Sequence, residues 1–251
     1  MVKYRIIAVL VVLDGKIVQS EKFVHTNTIH YNVEIITKSM NDWSVDEIVV
    51  LNVSRKENQK EFLKVLEKIS KKCFVPLSVG GWVNNLQYAS DLFNTGADKV
   101  IINSCLHTDL ELVKQISNKF GKQAIVGSID YKMYNKKFNV YIDRGRKRLD
   151  ISPILYAQKI SKYVGEIFLT SIDNEGMMYG YDLKTLKKIS SKIVNPIIVF
   201  GGAYEFEHFY KGIKSGANAV AAANIFHYKE FATILVNKYL KNKKILVRKL
   251  D

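Results

Sequence analysis

Asp130 closes the run Gln123-Ala-Ile-Val-Gly-Ser-Ile-Asp130, apolar and small, near the middle of a 251-residue chain. A buried strand that carries a carboxylate to its C-terminal end is how parallel barrel enzymes place an acid or base against a substrate. Two Gly-Gly steps follow apolar runs elsewhere, in Pro76-Leu-Ser-Val-Gly-Gly81 and Pro196-Ile-Ile-Val-Phe-Gly-Gly202. Without side chains, such turns let backbone N–H groups come close to an anion. The next strand in each case ends in a small pair, Asn103-Ser104 and Ala223-Asn224, so the two sets make candidate phosphate cradles. A third group, Arg5, Glu47, Lys99 and Glu166, sits at the starts of strands. Two acids and two bases turned into a barrel's lower end would have to satisfy one another, because an unpaired buried charge is very costly. Periodicity alone leaves open that all four point outward as ordinary strand-end charges.

Positioning these residues takes eight strand–helix units. Short Val/Ile/Leu-rich runs predict strands over Arg5–Val12, Glu47–Val53, Val75–Val79, Lys99–Asn103, Ala124–Ile129, Glu166–Thr170, Pro196–Phe200 and Ala219–Ala223. Helical periods lie between them, near Tyr31–Asn41, Glu57–Lys72, Leu86–Asn94, Asp109–Lys119, Ile154–Tyr163, Leu183–Ser191, Glu205–Lys214 and Tyr228–Lys241. Strands that are apolar throughout are buried on both faces, and their alternation with helices implies a parallel sheet. Eight units in this length predict an α/β fold of the closed (β/α)8 TIM barrel type, as one domain over residues 1–251. An internal repeat sharpens this. The Gly-Gly stretches are 120 residues apart, and Gly96-Ala-Asp-Lys-Val100 recurs at the same offset as Gly216-Ala-Asn-Ala-Val220. Two half-barrels, about 1–121 and 122–251, account for it.

Net charge is +14. Nucleic-acid binding would gather that charge on one face, whereas Lys56, Lys60, Lys64, Lys68, Lys71 and Lys72 lie on a helix whose other face is Phe62, Leu63, Leu66 and Ile69. A solvated outer surface is the expectation, with no nucleic-acid partner. Lys132–Arg148 carries seven basic residues among aromatics. Alternating Phe138, Val140 and Ile142 suggest a hairpin there, as a charged lid for an anionic substrate or as a solvated loop. The apolar run Ile6–Leu13 is far short of the ~20 residues that span a bilayer, so no membrane span is expected. Two cysteines, Cys73 and Cys105, make no disulfide framework and fit a reducing cytoplasm. Neither they nor the five histidines show metal-ligand spacing, so neither a metal nor another cofactor is expected.

Taken in order, the stretches VGG, GADKVIINS, Leu169-Thr-Ser-Ile-Asp173, Gly180-Tyr-Asp-Leu183, GGA and AAANIFH resemble the HisF family, the cyclase subunits of imidazole glycerol phosphate synthase. The resemblance covers nearly the whole chain. It implies a synthase subunit of a glutamine amidotransferase, paired with a HisH-like glutaminase at the bottom of the barrel, with ammonia rising through the centre to a phosphorylated small-molecule substrate. On this likeness Arg5, Glu47, Lys99 and Glu166 match a charged ammonia gate and Asp98 a glutaminase-docking acid. Asn103 and Ser104, with Gly81 before them, match one phosphate site, while Gly176, Gly202, Ala223 and Asn224 match the other. Asp130 matches one of two catalytic carboxylates. The other family acid lies on the first strand in a Cys-Leu-Asp-Val context, where this chain has Val9-Leu10-Val11-Val12. Further departures are Gln19 for a lysine, Asn52 for an acid, Phe200 for a serine and Trp82 for a cradle glycine. Keeping the gate while losing one acid resembles the second-HisF (AglZ-type) relatives, which work with a separate sugar amidotransferase in acetamidino-sugar formation for surface polysaccharide. An ordinary cyclase of histidine biosynthesis and a non-catalytic scaffold or activator of the glutaminase remain the alternatives.

Overall fold

The computed structural model describes residues 4–250. Twelve strands form in chain order. They are β1 (Arg5–Leu13), β2 (Lys16–Glu21), β3 (His25–His30), β4 (Glu47–Asn52), β5 (Leu77–Gly80), β6 (Lys99–Ile102), β7 (Ile125–Tyr134), β8 (Lys137–Ile142), β9 (Lys147–Arg148), β10 (Glu166–Ser171), β11 (Ile197–Phe200) and β12 (Ala219–Ala222). Eight of them pair in parallel and close on themselves in the ring β1-β4-β5-β6-β7-β10-β11-β12. The fold is a (β/α)8 TIM barrel.

The helices are α1 (Val33–Asp42), α2 (Gln59–Ser70), α3 (Leu86–Asn94), α4 (Cys105–Thr108), α5 (Leu110–Phe120), α6 (Pro153–Ile160), α7 (Leu183–Ser190), α8 (Phe206–Lys214), α9 (Asn224–Tyr228) and α10 (Ala232–Asn242). Side chains of Asn32, Asn85, Asp109, Ser152 and Asp182 accept first-turn N–H groups, each such cap being worth about 1 kcal/mol. On α2, Phe62, Leu66 and Ile69 are buried against the sheet while Lys60, Lys64 and Lys68 are exposed.

Strand alternation sends one set of side chains outward to the helices and the other into the barrel. The inward set is Ile7, Val9 and Val11 from β1, with Val49, Ile101, Val126, Phe168, Ile198, Ala219 and Ala221 from the others. That interior is a packed apolar column with charged or polar groups only at its two ends.

Three local differences from the sequence-based expectation have physical causes. Strand β7 continues past Asp130 to Tyr134, because β8 pairs with it antiparallel from Asp130↔Tyr141 to Tyr134↔Lys137. Asp130 is therefore inside a strand, at the level where the barrel's own pairing ends. A second hairpin, β2–β3, follows β1; its polar, exposed β3 gives no apolar signal. The last helical stretch is split, since Phe231 adopts a left-handed φ of 55° between α9 and α10.

Candidate functional site

At the lower end, the structure brings Arg5, Glu47, Lys99 and Glu166 into one closed ring. Arg5 pairs with both Glu47 and Glu166. Lys99 Nζ lies 3.2 Å from Glu47 Oε1 and 3.1 Å from Glu166 Oε2. Ser78 adds a hydroxyl donor to Glu47 Oε1 at 2.6 Å. Both acids are almost fully buried. Burial works to lower the Arg5 pKa, but Glu166 and Glu47 outweigh it and hold the guanidinium above its ordinary value. The first residues of β1, β4, β6 and β10 point inward, so four separate strands deliver charge to one level.

Asp98 lies beside this ring, exposed, and accepts Leu77 N–H on Oδ2 at 2.8 Å. Asp46 does the same for Ile6 and Asn218 for Ile197. An acceptor just before a strand thus ties down an N–H at the start of the neighbouring strand, and Asp98 has this structural task besides any docking role.

At the upper end, Asp130 is buried. Its carboxylate receives Ser128 Oγ at 3.0 Å and Asn103 Nδ2 at 3.2 Å. Burial pushes its pKa up to about 6, against the hydrogen bond from Ser128. No cation pairs with it among the described residues. Val11 lies in the apolar column, 4% exposed, so the first strand brings no second carboxylate to this level.

Gly176, Gly202, Ala223 and Asn224 line one small cavity together with Glu175. A Cβ at Gly202 would strike Gly180 O, and one at Gly176 would strike Ser20 O in the β2–β3 hairpin. Glu175 is buried, and burial pushes its pKa up to about 7. It receives Phe23 N–H at 3.1 Å and Ser20 Oγ at 3.2 Å, which holds that hairpin across the mouth. On the other side, Gly81, Asn103 and Ser104 also lie together, but the turn after β8 reaches them. Asp143 N–H donates to Ser104 Oγ at 3.1 Å, and Arg144 Nη1 to Ser54 O at 2.7 Å. A Cβ at Gly81 would strike Asn52 O.

Sequence reasoning missed Ser78, Ser128, Glu175, Asp143 and Arg144. The two serines were accessible from strand alternation, since each shares a face with a charged neighbour. The other three depend on loop paths that no local pattern encodes. No group of three metal-binding side chains occurs among the described residues, nor any helix long and apolar enough to cross a membrane.

Fold and site together define a (β/α)8 barrel with a neutralised charge ring below and a protonatable acid at its mouth. The chain belongs to the histidine biosynthesis protein family, whose model matches residues 5–232. It is similar to proteins named imidazole glycerol phosphate synthase subunit HisF. One, from Endomicrobium trichonymphae, is 39% identical, covering 100% of this chain and 97% of that protein. Those from Dehalococcoides mccartyi and Chlorobaculum tepidum are 37% and 36% identical over 99% of this chain, covering 99% and 100% of their own lengths.

Proposed function

We propose that the chain is the ammonia-accepting synthase subunit of a glutamine amidotransferase. A HisH-like glutaminase docks beneath the ring, near Asp98, and ammonia passes between Arg5, Glu47, Lys99 and Glu166 into the barrel. The observation that carries this is the ring beneath an apolar column. Ammonium would lose its hydration among Ile7, Val9, Val49, Val126 and Phe168 with nothing to replace it, whereas neutral ammonia bears a far smaller penalty. The ring orders the bottom and leaves the neutral molecule as the species that rises. At the mouth, Asp130 exchanges a proton with a substrate held by its phosphate at Gly176, Gly202, Ala223 and Asn224. A carboxyl with a pKa of about 6 is close to the pH at which general acid–base catalysis is efficient.

The names of the relatives support the imidazole glycerol phosphate synthase reaction as the output. Val11 favours a second reading, in which ammonia serves another phosphorylated acceptor, such as an acetamido sugar converted to an acetamidino sugar with a separate amidotransferase. Cyclisation needs acid–base groups on both faces of the forming ring, and Val11 cannot exchange a proton. Expression in a cyclase-deficient histidine auxotroph separates the two. Growth without histidine, lost in Asp130→Asn, supports the cyclase; no growth with soluble, folded protein supports the other acceptor.

A further inference from the structure

We propose that this chain has one working phosphate cradle and fills the other with its own Asp143–Arg144 turn, so that its mouth takes a ligand anchored through a single phosphate. The proposal rests on the reading above for the cradle of the second half and adds what the first half does.

The 120-residue offset puts Trp82 where the second half has Gly202. Both have left-handed backbone, with φ of 57° and 95°. At Gly202 there is no room for a side chain. At Trp82 the indole is accommodated, and its Nε1 donates to Ser54 O at 3.0 Å. The Arg144 guanidinium lies 4.4 Å from the indole centroid, a distance at which cation–π attraction is effective. Its Nη1 shares the same Ser54 carbonyl, and its Nη2 donates to Asp143 Oδ1 at 2.9 Å. Asp143 in turn donates its N–H to Ser104, and Asn103 spends its amide hydrogens on Asp130 Oδ2 and Ser128 O.

The side-chain amide of Asn103 and the hydroxyl of Ser104 therefore have partners within the chain. The turn also brings a carboxylate. Hydrogen bonds from Arg146 and Arg144 hold the Asp143 pKa below its ordinary value, so the three side chains form one ion-paired cluster in the turn. Residues Asp143, Arg144 and Gly145 all have positive φ, of 51°, 56° and 75°, which fits a tight turn that presents itself as a unit. In the second half, Gly202 stands where the first half has Trp82 and lines a small cavity with Ala223 and Asn224, with the Glu175 carboxyl engaged by Phe23 and Ser20.

Titration of the full chain with inorganic phosphate, followed by phosphorus NMR and calorimetry, tests this. Wild type is expected to bind one phosphate, and Trp82→Gly combined with Arg144→Ala to bind two. Arg144→Ala alone, which keeps the indole's bond to Ser54, guards against a folding defect and should also admit the second ion. Ribose 5-phosphate should bind wild type once and the opened variant twice. Two phosphates on wild type, or one on both opened variants with native circular dichroism, would overturn the proposal. If Asn224→Asp leaves the wild-type phosphate in place, the assignment of the second cradle fails instead, independently of what the Asp143–Arg144 turn does.

Discussion

The two ends of the barrel bury charge by opposite means. Below, Arg5, Lys99, Glu47 and Glu166 cancel one another in a closed ring, with Ser78 as a further donor. Above, Asp130 is buried and receives the neutral donors Ser128 and Asn103. In the balanced ring every member has an opposite charge at hand. A lone buried carboxyl keeps its proton longer, and its pKa rises to about 6. One arrangement is built to stay as it is, and the other to exchange a proton.

Breaking the ring should have the largest effect on the fold. Arg5→Ala leaves two buried carboxylates facing Lys99 alone, and loss of one partner from a buried ionic set destabilises by about 3–5 kcal/mol. Guanidinium denaturation at pH 7 checks it; a loss under about 1 kcal/mol would mean that water enters the ring freely.

Removing the lone acid should act in the other direction. A carboxyl with a higher pKa folded than unfolded favours the native state below about pH 4 and does so less as the pH rises to 6. The shift from 3.8 to about 6 corresponds to roughly 3 kcal/mol. Asp130→Asn should therefore gain stability on wild type between pH 4 and pH 7 by up to about that amount, while ammonia-dependent turnover falls about 100-fold or more. A stability difference that is flat with pH would contradict the assigned burial of charge.

Smaller changes sharpen the comparison. Asn103→Ala removes a donor to the ionised Asp130, and hydrogen bonds to charged groups contribute about 1.5–3 kcal/mol. The carboxyl should then titrate above pH 6, which carboxyl carbon NMR reads; titration at lower pH would rule out the Asn103 contact. At the bottom, Asp98→Asn keeps an acceptor for Leu77 N–H, so stability should change by less than about 0.5 kcal/mol. Glutaminase affinity measured by calorimetry should still fall if Asp98 docks the partner.

Much of this was legible in the sequence because barrel strands are apolar on both faces. The runs at Arg5, Glu47, Lys99 and Glu166 begin in the chain where the strands begin in space, so their first residues could be grouped. Which way those residues point was not legible, since inward and outward positions look alike at a strand's first residue. The hairpin partner of β7 was visible in the alternation of Phe138, Val140 and Ile142, yet its consequence for Asp130 was not. The Arg144–Ser54 contact spans 90 residues, and the charge run around Arg144 reads equally as a solvated loop. Trp82 illustrates the limit best, since its place at a cradle glycine is readable along the chain while its contacts with Ser54 and Arg144 are not.

The central claim is that nitrogen enters through the ring and leaves at the mouth. The most direct measurement supplies the complex of this chain and its glutaminase with amide-15N glutamine in a large excess of unlabelled ammonium, and reads the isotope in the aminated product. Passage through the barrel predicts that the product retains the label in wild type and loses it to the bulk when Lys99→Ala opens the ring. Equal dilution of the label in both would contradict the account.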